Sequence, residues 1–252
     1  GDGEVRRGDC CGVMVARLQG VLEKFWKAAL GAAFFVAAVL TVAMAMTDLA
    51  HSDARRDQTL LAAAGKGDAA AVRRLLKEGA AVDARDGSGR TALLVATRGD
   101  HVEAARVLIA AGADVNAKDG IQDSPFLYAG AEGRNDILKA ILSTGKADLK
   151  STNRYGGTAL IPAAHHGHPE TVAILLGTAI DKDHVNRLGW TALIEAIVLG
   201  DGGPVHTRIV RLLVAAGADV NIADRDGVTP LAHARRSGYR AIADILAAAG
   251  AR

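Results

Sequence analysis

Three histidines lie within four positions of the stretch TALIPAAHHGHPE, residues 158–170: His165, His166 and His168. Imidazoles this close could ligate a metal ion or relay a proton. Zinc needs three or four ligands that converge on one point, whereas adjacent helical residues point about 100° apart. The sequence offers no nearby cysteine and no His-x-x-x-His pair, and His184 is the one obvious extra ligand. We therefore favour a surface and helix-end role and keep a histidine-dependent metal-binding protein as the alternative.

Motifs for other kinds of catalysis are missing from the sequence. It contains no Gly-rich phosphate loop, no Gly-x-Ser-x-Gly elbow and no zinc-protease helix. Paired carboxylates occur only at positions that recur along the chain, such as Asp224 and Asp226. Both cysteines, Cys10 and Cys11, stand close to the first residue. We expect a protein that is not an enzyme and that carries no cofactor.

The composition describes a chain that fills its core with small side chains. Hydrophobic residues make up 50% of the chain and aromatic residues only 4%, and much of the hydrophobic share is alanine. The formal net charge is +2, with basic and acidic residues mixed along the chain. A nucleic-acid-binding protein would concentrate its basic residues on one surface. We expect thin apolar layers and no nucleic-acid partner.

An apolar stretch near the start resembles an export signal. Residues 28–46 carry no charge, follow three basic residues and end in the small-residue pattern Ala43-Met44-Ala45. This order is that of a secretory signal peptide, although the stretch is also long enough to span a bilayer. The sequence predicts a periplasmic or secreted protein. The alternative is an uncleaved inner-membrane anchor with the rest of the chain outside the cytoplasm, the one case in which we expect membrane contact.

A repeat follows this stretch. The same pattern returns around one Thr or Ser, at positions 91, 124, 158, 191 and 229, with spacings of 33, 34, 33 and 38 residues. A weaker copy precedes them, so six repeats account for most of the chain. We predict an unstructured extension at 1–13, a signal peptide or anchor at 14–45, a linker at 46–57 and a repeat domain at 58–252. The repeats, numbered one to six, are predicted at about 58–86, 87–119, 120–153, 154–186, 187–224 and 225–252.

The recurring residues resemble the ankyrin repeat. They are Thr229-Pro230-Leu231, the Thr-Ala-Leu triplets that begin at 91, 158 and 191, and the Gly-Ala-Asp-Val-Asn runs at 112–116 and 217–221. The resemblance implies an all-α solenoid of about six helix-turn-helix repeats with β-turn fingers, here preceded by an N-terminal signal or anchor helix. A solenoid of this kind lacks the deep apolar pocket that small-molecule sites prefer.

Local chemistry agrees with the helices of such a repeat. Thr229 can cap a helix whose first residue is Pro230, Ser124-Pro125 repeats the arrangement, and Thr191 is also expected to cap a helix. Glycines that end the second helices are expected in the left-handed conformation, and they are Gly79, Gly112, Gly145 and Gly217. The family often places histidine fourth in its Thr-Pro-Leu-His motif, where it bonds between repeats. This chain has Leu94, Leu127, Ile161, Ile194 and Ala232 there, so we expect the repeats to stack by apolar contact.

Function should lie in residues that the repeat does not require. Tyr155 and Trp190 stand at fingers, either as exposed interface anchors or packed against each other or adjacent fingers. The five-residue insertion 201–205 in repeat five is either a contact loop or a tolerated change of length. Charged residues cluster at the fingertips, although each one alone fits a solvated face, and they are Arg154, Arg187, Arg225 and Asp226.

The resemblance also implies which residues face the partner. In ankyrin proteins the fingers and first helices line a concave groove, and Glu195 and His233 should face it. We predict a non-enzymatic protein interaction module of the periplasm or cell envelope. Its partner is another protein, bound by the groove and fingertips of repeats four to six.

Overall fold

The computed structural model describes Met44 and residues 51–252. The chain divides into two structural units, residues 1–54 and Arg55–Arg252. The predicted extension at 1–13 and the predicted signal or anchor, apart from Met44, lie outside the described residues. Residues 51–57, part of the predicted linker, are helical. No helix in the described part of the chain has the length and apolar character needed to cross a bilayer.

The second structural unit is built from helix pairs, one pair for each of the six repeats. In the range 55–252 we find no strand, only one isolated antiparallel bridge between Arg85 and Thr91. Within this unit, the first helix, α1, covers residues 55–65. The others are α2 Ala69–Lys77, α3 Ala92–Arg98, α4 Val102–Ala110, α5 Pro125–Ala131, α6 Asn135–Ser143, α7 Leu160–His165, α8 Pro169–Leu176, α9 Ala192–Val198, α10 Pro204–Ala215, α11 Pro230–Arg236 and α12 Arg240–Ala248.

Hydroxyl caps start most of the first helices. The side chains of Ser124, Thr191 and Thr229 accept hydrogen bonds from backbone N–H groups three residues later, as predicted. Thr91 caps α3 in the same way. Each cap satisfies one backbone N–H group that the helix leaves without an internal partner.

Thr158 holds the same sequence position in repeat four but makes no cap. Its hydroxyl oxygen is buried without a hydrogen-bond partner. Pro162 has no N–H to donate to the carbonyl of Thr158, the bond that Glu195 makes to Thr191 in repeat five. Instead the N–H of Ile161 donates to that carbonyl at 3.2 Å. The proline thus tightens the first turn of α7 and diverts the N–H that would have met the hydroxyl.

The core is a series of thin layers shared by neighbouring repeats. Buried leucine, isoleucine and valine side chains come from both helices of a pair, while alanine fills the narrow spaces between first helices. At Gly130 of α5, an added Cβ would lie 2.8 Å from the Cβ of Ala159. First helices of adjacent repeats therefore approach closely, and no repeat buries its apolar side alone.

Polar bonds also join the repeats, which corrects the expectation that apolar contact alone stacks them. Histidine ring N–H groups donate to backbone carbonyls of the preceding repeat in three places. These are His101 to Gly65 at 3.0 Å, His166 to Ala131 at 2.8 Å and His206 to His165 at 3.1 Å. His101 and His166 follow the ends of first helices and His206 lies in the first turn of α10, so the bond between repeats is made from positions other than the family's motif position.

Each finger turns around one Asp or Asn side chain. Its Oδ1 accepts the backbone N–H groups two and four residues later, which closes the turn. The residue three positions later then has a positive φ, for example +76° at Gly156 and +87° at Gly189. The residues at this position are Asp86, Asp119, Asn153, Asn186 and Asp224.

Candidate functional site

An open hollow of about 410 Å³ lies across repeats three to five. Its walls are the first helices α5, α7 and α9 and the fingers before them. We call this the hollow. Its volume is within the range of small-molecule sites, about 300–1,000 Å³, but it is open and is not the deep apolar pocket that such sites prefer. The lining is mixed rather than apolar, and it consists of Asp123, Tyr128, Ala131, Glu132, Asn153, Arg154, Tyr155, Gly157, Ile161, Pro162, His165, His166, Asn186, Leu188, Glu195 and Leu199.

Glu195 is the most buried acid of the hollow. Its side chain is 9% exposed, and its Oε1 accepts a hydrogen bond of 2.7 Å from the amide of Asn186. Among the described residues, no donor makes a hydrogen bond to Oε2, and Nδ1 of His165 lies 3.8 Å from it. Burial raises the pKa of Glu195 above its usual value, although the Asn186 bond and His166 oppose this effect. The predicted groove residue Glu195 thus lies in the hollow as a carboxylate with one oxygen available.

The histidine group separates into three different environments. His165, the last residue of α7, faces Glu195, and burial lowers its pKa. His166 donates to the carbonyl of Ala131 through Nδ1, which also lies 3.7 Å from Glu132. His168 begins α8, and its ring lies over Gly133, where an added Cβ would be 2.8 Å from Nδ1.

These three environments do not combine into a metal site. In the described part of the chain, no group of three or more His, Cys, Asp or Glu side chains is placed to hold a metal ion. His184 is also engaged elsewhere, because its Nε2 donates to the carbonyl of Gly156 at 2.7 Å. The histidine-dependent metal hypothesis therefore has no geometric support here.

Tyr155 and Arg154 form one side of the hollow. The guanidinium carbon of Arg154 lies 4.8 Å from the ring centroid of Tyr155, and its Nη1 is 4.0 Å from Asp123. Arg98 reaches the same carboxylate at 3.5 Å. Asp123 is therefore flanked by two arginines, yet burial, the largest influence, raises its pKa. Tyr155 itself remains 54% exposed, as a partner-binding aromatic residue should be.

An apolar stripe crosses three successive fingers. Ile121, Tyr155 and Leu188 are each two positions after the Asp or Asn that turns their finger, and they are 50%, 54% and 50% exposed. The equivalent residues on the outer fingers are polar, Ser88 and Asp226. We call Ile121, Tyr155 and Leu188 the fingertip stripe. It coincides with the fingers that border the hollow, and exposed apolar side chains at equivalent positions are a feature of interaction surfaces.

Several predicted partner-binding residues lie outside the hollow. Trp190 is half-buried and is not part of its lining. Arg187 and Arg225 extend across the neighbouring glycines Gly156 and Gly189, where an added Cβ would lie 2.8 and 2.5 Å from their Cγ atoms. Arg187 also donates to the carbonyl of Arg154 at 3.0 Å. These two arginines hold fingers together.

The remaining predictions belong to the last finger. His233 bonds Oδ2 of Asp224 through Nε2 at 2.7 Å. Asp226 is exposed, and its N–H donates to the same aspartate. Hydrogen bonds from Val228 and His233 lower the pKa of Asp224, with the Val228 bond the larger cause. This finger is thus stabilised within its own repeat and does not contribute to the hollow.

The insertion 201–205 lies at the other end of α9 from its finger. Its last two residues, Pro204 and Val205, belong to α10, so part of the extra length extends that helix. Nδ1 of His206 and Oδ1 of Asp201 are 2.9 Å apart, and the hydroxyl of Tyr239 donates to the carbonyl of Gly200. The insertion is therefore braced by the next repeat.

Sequence reasoning missed Ile121, Glu132, Leu188 and Leu199. The first and third could have been found by counting two positions from each finger Asp or Asn, because Ser88, Ile121, Tyr155, Leu188 and Asp226 then align. Glu132 and Leu199 both follow the last residue of a first helix, α5 and α9. Their place in the hollow depends on how three repeats stack, which the spacing alone does not give.

Comparison with known proteins gives the same repeat. The family model described as "Ankyrin repeats (3 copies)" matches residues 30–119 and 126–224. The first match begins inside the apolar stretch 28–46. An ankyrin repeat protein of Escherichia coli K12 named YahD is 40% identical over 115 residues, which are 45% of this chain and 57% of that protein. The chain thus spans little more than half the length of this curated relative.

Solved structures extend the likeness to 77% of the chain. An ankyrin repeat domain from Acinetobacter baumannii AYE is 57% identical with a TM-score of 0.75, and the match covers 77% of this chain and 98% of that one. The ankyrin repeat domain of Bcl-3, a member of the IkappaB protein family, is 29% identical with a TM-score of 0.70, and covers 77% and 86%.

Proposed function

Because the chain belongs to the ankyrin repeat family, we propose that it is a non-enzymatic interaction module whose protein partner docks on the hollow and the fingertip stripe. Ankyrin repeats are in general protein interaction modules. We place the binding site in repeats three to five, whereas the sequence predicted it in repeats four to six. The observation that carries it is that Ile121, Tyr155 and Leu188 are exposed next to the hollow.

The geometry fits a protein partner better than a small molecule. The hollow is open, and its lining continues into the fingertip stripe, so an occupant of the hollow would also contact apolar side chains outside it. A stable complex buries about 1,200–2,000 Å² in total. Tryptophan, tyrosine and arginine side chains near its centre carry most of the binding energy.

Site-specific photo-crosslinking in cells tests this placement. Benzoylphenylalanine in place of Leu188 should give one discrete adduct of defined mass. The same group in place of Lys139, an exposed residue of α6 that does not contribute to the hollow, is the matched control. The adduct should disappear when Tyr155→Ser is added. Equal adducts from positions 188 and 139 would contradict the proposal.

Export is a separate proposal. We propose a periplasmic or secreted protein, or one anchored in the inner membrane with its repeats outside the cytoplasm, on the basis of the apolar stretch 28–46 and the basic residues before it. Cell fractionation with N-terminal sequencing of the mature protein tests it. A protein found only in the cytoplasm with residues 14–45 intact would refute it.

A further inference from the structure

The hollow contains two carboxylates that no lysine or arginine neutralises within the described residues. Glu132 lies near His166 and Glu195 near His165, at 3.7 and 3.8 Å, and neither has another ion pair in that part of the chain. Asp123, in contrast, has Arg98 and Arg154. The hollow is thus acidic on the side of Glu132 and Glu195, and not on the side of Asp123.

The four residues form a row. The rings of His165 and His166 are 4.7 Å apart between centroids, so Glu132, His166, His165 and Glu195 follow one another across the end of α5 and α7 to α9. His166 uses Nδ1 to donate a hydrogen bond to the carbonyl of Ala131. Burial and the neighbouring His166 and His206 lower the pKa of His165. Among the described residues, the row thus places imidazoles, and no lysine or arginine, beside its two carboxylates.

A buried carboxylate without a cation is costly. Removing a charged group from water is offset only when hydrogen bonds or an opposite charge replace the lost hydration. Glu195 has one such bond, from Asn186, and Oε2 has none among the described residues. A cationic group entering the hollow would supply what Oε2 lacks.

We propose that the partner protein inserts an arginine or lysine side chain into the hollow, with its charged end at Oε2 of Glu195, while apolar residues beside it contact the fingertip stripe. This inference rests on the proposed function and adds the chemistry of the occupant. The stem of such a side chain is apolar and its end is charged. It matches a hollow whose walls include Ile161, Pro162 and Leu188 and whose buried acid, Glu195, stands in α9.

Selection from a library of short random peptides on the full chain tests this. The double variant Tyr155→Ser, Leu188→Ser serves for counter-selection, so that only binders of the hollow and the stripe are kept. The proposal expects one arginine or lysine at a fixed spacing from apolar residues. The most frequent peptide is then measured by titration calorimetry against the wild type and against Glu195→Gln. Glutamine keeps the shape and can still accept the Asn186 bond.

Glu195→Gln should weaken the binding of this peptide ~10-fold or more. Norleucine in place of the peptide's basic residue should weaken binding by the same factor. The two changes together should weaken binding no more than either change alone. Glu103→Gln on the exposed surface of α4 is the control and should leave Kd unchanged. Peptides that need Tyr155 and Leu188 but carry no basic residue, or an unchanged Kd for the Glu195→Gln variant, would overturn the inference and leave the proposed function standing. Selected peptides that bind the double variant as tightly as the wild type would overturn both the inference and the proposed function.

Discussion

The side-chain amide of Asn186 donates a hydrogen bond of 2.7 Å to Oε1 of Glu195. The other end of the same amide, Oδ1, accepts the N–H groups of Leu188 and Trp190 and so closes the finger. One asparagine therefore fixes both an exposed residue of the fingertip stripe and the buried acid of the hollow. The binding surface is held by a bond within one repeat.

Asn186→Asp should destabilise the protein near neutral pH. The finger bonds to Oδ1 would remain, but a second carboxylate would face Glu195 in place of a donor. Loss of a hydrogen bond to a buried charge costs about 1–3 kcal/mol, and repulsion adds to it. Urea unfolding at neutral pH measures the effect. The matched control is Asn153→Asp, where Oδ1 accepts the Tyr155 and Gly157 N–H groups and no bond to a carboxylate is lost. Equal losses in both variants would refute this explanation.

Thr158 and Thr191 should respond differently to the same substitution. Thr191→Val removes a cap that accepts the Ile194 N–H and should cost about 1 kcal/mol. Thr158→Val removes a buried hydroxyl oxygen that has no partner, and should be neutral or stabilising. Thermal unfolding of both variants gives the comparison. A larger loss for Thr158→Val than for Thr191→Val would show that Thr158 does cap α7.

The packing of arginine across fingers can be separated from the cost of a positive φ. Gly189 and Gly227 have φ of +87° and +74°, so alanine is strained at both. Only at Gly189 would the added Cβ meet Arg225, at 2.5 Å from Cγ and 3.3 Å from the backbone nitrogen. Gly189→Ala should therefore lose more stability than Gly227→Ala, by about 1 kcal/mol or more. Equal unfolding midpoints in urea would argue against this contact.

Ionisation of Glu195 should make the free protein less stable as pH rises. Its pKa is raised on folding, so the folded state holds the proton more tightly than the unfolded state. Stability from this group is present below the ordinary value of 4.5 and is lost as pH rises through the folded pKa. Glu195→Gln should thus unfold at higher urea than the wild type near pH 7.5, and the difference should shrink on acidification. A difference in stability between variant and wild type that grows toward low pH would contradict this prediction.

His165 and His168 should have the opposite effect on stability, which should fall as pH decreases. Burial lowers the pKa of both below 6.5, so the unfolded state takes up protons first as pH falls. Their contribution to stability should decrease below about pH 6.5. NMR titration of the ring protons should give midpoints below that value for both residues. Midpoints above it would mean that Glu195 or Glu132 holds these rings protonated.

The sequence was sufficient for the repeat because each repeat carries the same local chemistry. Thr229, Ser124 and Thr191 cap helices as predicted, and Gly79, Gly112, Gly145 and Gly217 have positive φ. The site was harder because it depends on stacking. Arg187 is as charged as Arg154 in the sequence, yet it holds a neighbouring finger while Arg154 lines the hollow.

Amide NMR shifts of the full chain, mapped as the selected peptide is added, test the proposed site most directly. We predict the largest shifts at the three fingers 119–123, 153–157 and 186–190 and along α9, with loss of these shifts in Glu195→Gln at the same peptide concentration. Largest shifts on the outer helices α4 and α6, unchanged by Glu195→Gln, would contradict it.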